Sequence, residues 1–289
     1  MDDGAGTTKR VALVIGSGGV KCAAALGLQE VLQREGMSLD MVVGCSGGSV
    51  YALGIALGID AISLTEMTET LWTREVTSRR RRRAWLEILL PKLFGFDERF
   101  GMLDDTLAMR RLRAAFGDAT FADTEVPLYI TTTDFKNGEQ VVLTEGAVVD
   151  ALRASFAIPY LFPAHSVGGR LLVDGYLSDP MPVGVAIREG ADLIIAMGFD
   201  SPYQSRISSL ARFSFQLSSI MANNLFKANF AFHNLAHHSE IIPIIPQFEQ
   251  RIRLFDTDRI PYIIEEGRRA TEAQLPYLRR LLDSESGPL

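Results

Sequence analysis

This sequence of 289 residues has few cysteines and no excess of positive charge, and each of these features excludes a class of protein. The two cysteines, Cys22 and Cys45, are too few for a disulfide scaffold and lack the spacing of a zinc ribbon. The 29 lysines and arginines are outnumbered by 35 aspartates and glutamates. Because binding to nucleic-acid phosphates needs a broad basic surface, no nucleic-acid partner is expected.

Long apolar runs are missing as well. No stretch of about 18 uninterrupted apolar residues is present, so no membrane span is predicted. Residues 1–10 are acidic and polar, unlike a signal peptide, and we expect a cytoplasmic protein. Hydrophobic residues make up 47% of the chain and charged residues 22%, which is typical of a globular protein that buries a sizeable core.

Two units of strand, glycine turn and helix open the chain. The first combines a strand at 11–15 with a helix at 23–33, and the second a strand at 41–43 with a helix at 49–57. Short β-branched runs that end in glycine turns are typical of buried parallel strands. Two such units in succession predict a βαβ architecture.

The rest of the chain continues this alternation. Further strands are predicted at 126–133, 140–144, 171–173, 191–197 and 241–245, and helices over most of 61–115 and at 205–237 and 262–282. We find no repeat, linker or clear boundary, which favours one domain over residues 1–289. The motifs fall in about 10–200, and about 201–289 is a helix-rich remainder. The predicted fold is α/β, with three layers in which helices flank a mostly parallel central sheet.

The strongest local signal is Gly44-Cys-Ser-Gly-Gly48, a G-x-S-x-G pattern between a strand and a helix. Glycines on both sides of the serine allow a turn too tight for Cβ atoms, which projects the hydroxyl outward near a helix N-terminus. Ser46 is therefore a candidate nucleophile. The alternative is a glycine turn in which Ser46 only caps the next helix.

A second glycine loop, Gly16-Ser-Gly-Gly-Val-Lys21, follows the neighbouring strand. Its backbone N–H groups at a helix start could stabilise the oxyanion that forms when a serine attacks an ester. A dinucleotide-binding loop is the competing interpretation. That interpretation fails twice, because Lys21 stands at the third glycine position and Asp40 precedes the second strand instead of following it.

The nucleophile also needs a base. The four histidines are His165, which follows Pro163, and His233, His237 and His238 in a phenylalanine-rich helix. The 233/237 pair has helical spacing but lacks the glutamate of H-E-x-x-H, so no zinc site is expected. Asp174 is the better candidate, since a carboxylate at the C-terminal end of a strand lies at the edge where α/β sites form. An ordinary Asp-Gly hairpin turn is the alternative.

Together these motifs resemble the patatin-like phospholipase family, in the right order over about residues 10–200. The glycine loop resembles that family's oxyanion loop with its basic residue, and the G-x-S-x-G turn resembles its nucleophile elbow. Arg153-Ala-Ser-Phe-Ala-Ile-Pro-Tyr-Leu-Phe-Pro163 is similar to a family segment, and Asp174-Gly175 stands where the family has Asp-Gly-Gly or Asp-Gly-Ala. Thr133-Asp134 with Gly138-Glu139 resembles a recurrent family strand.

The resemblance implies a serine acyl hydrolase that cleaves fatty acyl esters of phospholipids, lysophospholipids or related lipids, without metal or cofactor. Its implied site is a Ser46–Asp174 dyad with no histidine. Gly18 and Gly19 would form the oxyanion hole, Gly16 and Lys21 would support the loop, and Gly44 and Gly48 would form the elbow. Asp174 is expected to be partly buried, because an exposed carboxylate is a weak base for a serine hydroxyl.

The sequence departs from the family pattern at Ser17, Cys22 and Tyr176. These departures bear on rate and substrate size more than on the class of reaction. Two alternatives therefore stay open: acyl transfer or thioester hydrolysis on the same site, and a lipid-binding regulatory protein with weakened catalysis. Buried apolar thiols are the expected state of both cysteines, and a redox pair beside the site is the alternative.

A basic run predicts how the chain meets lipid. The run consists of Arg79, Arg80, Arg81, Arg82 and Arg83. A segment rich in tryptophan and leucine follows it and starts at Trp85. Basic residues beside such a segment are typical of peripheral contact with anionic membranes. The alternatives are a solvated helix face and pairing with the protein's own acidic residues. A cluster of phenylalanines is expected to pack in the core, and the alternative is that these residues line an acyl-chain pocket: Phe213, Phe215, Phe226, Phe230 and Phe232.

Overall fold

A computed structural model describes residues 9–73, 75–76, 79–200, 207–208 and 210–283 of the chain. Eight strands form a single sheet in the order β5-β6-β3-β2-β1-β7-β8, and β4 pairs with β3 beside this path. The strands are β1 (Val11–Ile15), β2 (Met41–Cys45), β3 (Leu128–Asp134), β4 (Gln140–Leu143), β5 (His165–Val167), β6 (Arg170–Asp174), β7 (Leu193–Met197) and β8 (Glu240–Ile244).

The sheet combines a parallel centre with an antiparallel edge. Neighbouring pairs among β3, β2, β1, β7 and β8 run parallel. Strands β4 and β6 are antiparallel to β3, and β5 is antiparallel to β6. β1 and β2 are buried along their full length, as expected for strands covered on both faces.

Helices cover both faces of the sheet and give it three layers. They are α1 (Ala24–Arg34), α2 (Gly47–Ala56), α3 (Ala61–Leu71), α4 (Ala84–Leu89), α5 (Pro91–Phe94), α6 (Thr106–Phe116), α7 (Val148–Ser155), α8 (Val183–Arg188), α9 (Leu210–Ala236) and α10 (Ile260–Asp283). Alternate side chains of β1 enter separate cores: Leu13 and Ile15 pack with α1 and α10, whereas Ala12 and Val14 pack with α8. None of these helices, over the part of the chain described above, is both long and apolar enough to cross a bilayer.

The predicted α/β fold with a mostly parallel sheet is confirmed, with local corrections. The expected helical stretch over 61–115 is divided into the separate helices α3, α4, α5 and α6. Strand β5 and helices α7 and α8 are additions to the prediction, because short elements carry little periodicity. The helix predicted at 205–237 corresponds to α9, and residues 205, 206 and 209 lie outside the described residues.

Candidate active site

Ser46 occupies a tight turn between β2 and α2. Its backbone dihedrals are φ 55° and ψ −128°, a strained conformation for a residue with a side chain. Gly44 and Gly48 leave no room for a Cβ, which would meet Ser49 in the first case and the carbonyls of Ile15 and Gly16 in the second. The Ser46 side chain accepts no capping hydrogen bond from α2. The local geometry is therefore that of a nucleophile elbow and not of a helix cap.

The hydroxyl of Ser46 points at a carboxylate from a distant part of the chain. Ser46 Oγ donates to Asp174 Oδ2 at 2.6 Å. The backbone N–H of Ser46 donates to Ser155 Oγ at 2.8 Å, and Ser155 Oγ donates in turn to the Thr131 carbonyl at 2.8 Å. These bonds hold the strained serine against β3 and α7.

Asp174 lies at the end of β6 and is completely buried. Its Oδ1 accepts from the Tyr176 N–H at 3.0 Å, and Thr133 Oγ1 donates to its backbone carbonyl at 2.9 Å. Burial raises the pKa of Asp174 to about 7, although the hydrogen bonds from Ser46 and Tyr176 act in the opposite direction. A carboxyl group with a pKa near 7 can accept and return a proton near neutral pH.

The glycine loop at residues 16–21 is anchored at one end and open in the middle. Gly16 N–H donates to the Met197 carbonyl at 2.9 Å, and Ser17 N–H donates to the Pro180 carbonyl at 2.8 Å. Over the described parts of the chain, the N–H groups of Gly18 and Gly19 have no protein acceptor. Gly19 has φ +58°, and a Cβ built there would lie 2.5 Å from Leu254 Cδ1. Both N–H groups are thus available beside Ser46, as an oxyanion hole requires.

The elbow and the loop touch through backbone atoms. A Cβ at Gly47 would lie 2.7 Å from the Gly19 carbonyl oxygen, so only glycine fits there. Lys21 closes the far side of the loop, where its Nζ donates to the Asp200 carbonyl at 2.8 Å and lies 5.4 Å from the Phe248 ring centroid. Burial lowers the pKa of Lys21, and the charge of Asp200 partly opposes that shift.

Two clefts meet at Ser46, and Gly19, Ile158 and Leu254 also line both of them. The first cleft, which we call the polar cleft, has about 600 Å³ of empty volume with its open mouth included. Its remaining lining residues are Ser17, Gly18, Lys21, Asp174, Tyr176, Asp200, Phe215, Ser218, Ser219, Ile252 and Arg253.

The second cleft, which we call the apolar cleft, has about 560 Å³ of empty volume measured in the same way. Among the described residues of this lining, Thr257 and Ser46 carry the hydroxyl groups. The remaining lining residues are Val20, Gly47, Trp72, Val76, Ala108, Phe156, Phe162 and Phe255. The rings of Trp72 and Phe156 meet edge to face at 6.4 Å between centroids. A slot lined in this way suits a hydrocarbon chain.

The histidines lie away from Ser46. His165 Nε2 lies 3.3 Å from Asp150 Oδ1, and the His233 ring lies against Gly184. No histidine is among the described residues that line either cleft. Asp174 is consequently the base candidate that the fold brings to the serine.

Both cysteines are free and buried, in agreement with the prediction. Cys22 Sγ donates to the Gly16 carbonyl at 3.4 Å, and Cys45 Sγ donates to the Asp179 carbonyl at 3.5 Å. Burial raises the pKa of both thiols, which keeps them protonated. Cys22 thus fits beside the glycine loop without displacing it.

The prediction for the phenylalanine cluster is wrong in part. Phe226 and Phe230 stack at 6.3 Å between centroids and pack on the core beneath α9. Phe215 lines the polar cleft instead, and Phe213 and Phe232 are exposed. A helix over the edge of a site presents one face to the core and another to solvent, so a count of aromatic residues does not show which of them are buried.

The arginine run divides into paired and solvated members. Arg81 donates to Glu87 Oε1 at 3.0 Å and to the Gly101 carbonyl at 2.8 Å, and Arg79 pairs with Glu75. Arg80, Arg82 and Arg83 are exposed. Several large apolar side chains that come after these arginines in the chain are also exposed to solvent: Trp85, Leu86, Ile88, Leu89, Leu90, Leu93 and Phe96. We call residues 79–96 the arginine–leucine segment.

Sequence reasoning missed several residues of the site. Ser155 lies within the motif quoted above, so its position could have been noticed, although its bond to the Ser46 backbone could not. Arg253 and Leu254 carry no local pattern, and only the tertiary structure brings them to the glycine loop. Trp72 and Ala108 likewise reach the apolar cleft from separate helical regions.

Comparisons with known proteins place the chain in a family. The family model described as patatin-like phospholipase matches residues 13–187. An uncharacterized NTE family protein of Mycobacterium tuberculosis (strain H37Rv) is 30% identical over 195 residues, which is 67% of this chain and 50% of that protein. Human patatin-like phospholipase domain-containing protein 6 is 27% identical over 205 residues, which is 70% of this chain and 14% of that protein. The chain thus spans half the length, or much less, of these relatives.

Solved structures with similar chain paths include VipD from Legionella pneumophila and human GIVD cytosolic phospholipase A2. VipD has a TM-score of 0.48 and 14% identity, covering 96% of this chain and 67% of that one. The phospholipase, solved with methyl γ-linolenyl fluorophosphonate, has a TM-score of 0.46 and 14% identity, covering 96% of this chain and 60% of that one.

Proposed function

Because this chain belongs to the patatin-like phospholipase family, we propose that it is a serine hydrolase that cleaves fatty acyl esters of phospholipids or lysophospholipids. The observation that carries the proposal is the 2.6 Å hydrogen bond from Ser46 Oγ to a fully buried carboxyl oxygen of Asp174. The open N–H groups of Gly18 and Gly19 support it, since they lie in the loop that packs against the elbow.

In the proposed reaction, Ser46 Oγ attacks the ester carbonyl carbon while its proton passes to Asp174. The carbonyl π electrons move to oxygen, and the N–H groups of the glycine loop stabilise that oxyanion. When the carbon–oxygen bond to the alcohol breaks, the departing alcohol takes the proton from Asp174. Water then repeats the sequence on the acyl-serine, with Asp174 accepting its proton and returning it to Ser46 Oγ as the fatty acid leaves.

The two clefts support a division of the substrate at Ser46. The apolar cleft, walled by Trp72, Phe156 and Phe162, would hold the acyl chain, because its burial there removes hydrocarbon from water. The polar cleft, with Lys21 and Tyr176, would hold the alcohol that leaves. Asp174, with its pKa raised to about 7, lies where the two meet.

The test is release of fatty acid from a lysophospholipid by wild type, Ser46→Ala and Asp174→Asn. We expect turnover by wild type and a loss of about 10⁴-fold or more in each variant. An alkyl fluorophosphonate should label wild type on the peptide that contains Ser46 and should leave Ser46→Ala unlabelled. Ser63→Ala, in the unrelated helix α3, is the matched serine control and should retain full activity. Thermal unfolding must show that every variant is folded.

Each other outcome identifies an alternative. Unchanged turnover in Ser46→Ala would overturn the nucleophile. Tight lipid binding by folded wild type without turnover would favour a regulatory lipid-binding protein. Transfer of the acyl group to an added alcohol in preference to water would favour an acyltransferase.

We also propose that the arginine–leucine segment contacts anionic membranes. Leu89 and Leu93 are 70% and 75% exposed, and Trp85 is 54% exposed. Exposed apolar side chains that follow solvated arginines in the chain match a phospholipid surface in both its hydrocarbon and its charge. Val76, just before the segment in the chain, lines the apolar cleft, so membrane contact would occur close in the chain to the proposed site of the acyl chain.

A further inference from the structure

One short loop, residues 252–255, contributes residues to the lining of both clefts. Ile252 and Arg253 line the polar cleft, Phe255 lines the apolar cleft, and Leu254 lines both. The loop follows β8 and lies outside the residues that match the family model. It is therefore a feature of this chain that the family motifs do not specify.

The 252–255 loop is fixed against the nucleophile's surroundings. The N–H of Val20 donates to the Leu254 carbonyl at 3.1 Å, and the Leu254 side chain contacts Gly19. The N–H of Arg253 donates to Asp256 Oδ2 at 2.9 Å, and Ile252 is buried. The backbone of Arg253 thus has a defined position relative to Ser46, and Arg253 is one of the residues that line the polar cleft.

The two cationic residues of the polar cleft, Lys21 and Arg253, differ in whether a neighbouring group compensates their charge. Lys21 donates to the Asp200 carbonyl and is also within electrostatic reach of the Asp200 carboxylate. Arg253 is exposed, and the part of the chain that the structure describes offers its guanidinium neither an ion pair nor a hydrogen bond. The uncompensated positive charge of the cleft therefore resides on Arg253.

We propose that Arg253 binds the phosphate group of the substrate and makes this chain prefer phosphate-bearing acyl esters to neutral ones. The inference rests on the proposed function, because it takes the polar cleft as the place of the leaving alcohol. A planar guanidinium can donate two parallel hydrogen bonds to phosphate oxygens, a geometry that a lysine cannot reproduce. Ser218 and Ser219, on the opposite helix α9, also line this cleft and carry hydroxyl groups. The preferred substrate class is then a lysophospholipid whose phosphate is next to the glycerol.

The experiment compares lysophosphatidic acid with a monoacylglycerol of the same acyl chain, using wild type, Arg253→Gln and Arg253→Lys. We expect Arg253→Gln to lower kcat/KM for lysophosphatidic acid about tenfold or more and to leave that for the monoacylglycerol within about twofold. Arg253→Lys should be intermediate. Arg259→Gln, six residues further on and outside both clefts, removes the same charge and should change neither value.

Two results would overturn the assignment. An equal loss on both substrates would mean that Arg253 only positions the loop, and no loss on either would mean that it does not contact the substrate. The activity toward the monoacylglycerol, which does not depend on phosphate recognition, tests the proposed function separately.

A binding measurement keeps the inference testable if turnover fails. An alkyl ether analogue of lysophosphatidic acid should bind Ser46→Ala more tightly than it binds the double variant Ser46→Ala, Arg253→Gln. If the two variants differed in affinity in this way but wild type showed no turnover, the result would support the phosphate site and overturn the proposed hydrolase activity. The last probe in the binding measurement is soluble glycerophosphate. If glycerophosphate bound as tightly as the ether lipid, and its binding depended equally on Arg253, the site would bind a free phosphate ester. That result would overturn the lipid preference.

Discussion

The elbow region, residues 41–54, and the arginine–leucine segment, residues 79–96, contrast in every physical respect. Each residue of the elbow region is buried, and glycines there meet backbone atoms of neighbouring segments. In the arginine–leucine segment most side chains are exposed, including apolar ones as large as Leu93 and Trp85. The catalysis proposed for the elbow region depends on backbone positions accurate to fractions of an ångström. The membrane contact proposed for the arginine–leucine segment depends on the combined charge and apolar area of many side chains.

The difference explains what kind of change each region can tolerate. A single Cβ in the elbow must displace backbone, since close-packed interiors have no spare volume. A single substitution in the exposed segment changes only a fraction of a distributed surface. Three experiments test this contrast, from the largest expected effect to the smallest.

The largest effect is expected from Gly48→Ala. Its Cβ would meet the carbonyl oxygens of Ile15 and Gly16, so the elbow must shift away from the glycine loop. We expect turnover to fall about 100-fold, the usual cost of displacing reacting groups by about 1 Å. We also expect the free energy of unfolding to fall by about 1–3 kcal/mol, measured by urea denaturation.

Gly36→Ala is the matched control. Gly36 has φ +66° and no neighbour within 4 Å of its Cβ position, so the substitution adds backbone strain of about 1–2 kcal/mol without a steric clash. Turnover per folded molecule should stay at the wild-type value. A full rate in folded Gly48→Ala would break the contrast, because the elbow would then be as tolerant as the surface.

The next effect is the pH dependence of Asp174. A base acts when it is ionised, so kcat/KM should fall about tenfold per pH unit as the pH drops below about 7. The effect on stability has the opposite sign. Because burial raises the pKa of Asp174 in the folded state, the folded protein retains a proton that the unfolded chain has released, and stability falls as the pH rises from about 4 to about 7.

Urea denaturation of Asp174→Asn measures this pH-dependent loss of stability directly. The variant has no group to ionise, so it should gain stability relative to wild type as the pH rises through that window. Asp179 is a second buried carboxyl group whose pKa burial raises, to about 6, and Asp179→Asn separates its contribution. A difference between Asp174→Asn and wild type that did not vary with pH would contradict the raised pKa.

The smallest effect per substitution is expected at the membrane. Neutralising Arg80, Arg82 and Arg83 to glutamine should weaken binding to phosphatidylserine vesicles by about 1 kcal/mol per arginine. The loss should disappear at high salt, because the charges are solvated and screened. Arg81 is kept, since it pairs with the buried Glu87.

Two further variants sharpen the same measurement. Leu89→Ser with Leu93→Ser should weaken binding independently of salt, as expected for a hydrophobic contribution. Neutralising Arg34, Arg269 and Arg279, on α1 and α10, removes the same charge elsewhere and should leave vesicle binding nearly unchanged. Equal losses from both arginine triples would indicate that net charge, and not the arginine–leucine segment, determines binding.

Much of the fold could be predicted, and the reason is periodicity. The β1 and β2 runs and their glycine turns signal parallel strands in a few residues, and α10 repeats its apolar positions over several turns. Elements such as β5 and α8 are too short for a period to show, and their neighbours define them. The single domain expected over residues 1–289 stays a prediction, as do the catalytic roles of Ser46 and Asp174.

The sequence by itself determined the local chemistry of this protein: a serine between glycines, a second glycine loop with its lysine, and an Asp-Gly at a strand end. Those signals are readable because tight turns restrict which residues fit, whatever surrounds them. Only the tertiary structure decided that Ser46 and Asp174, 128 residues apart, are 2.6 Å apart and that Asp174 is fully buried. It also decided that Arg253 and Leu254 reach the glycine loop, because contacts between distant segments depend on how the whole sheet and its helices pack.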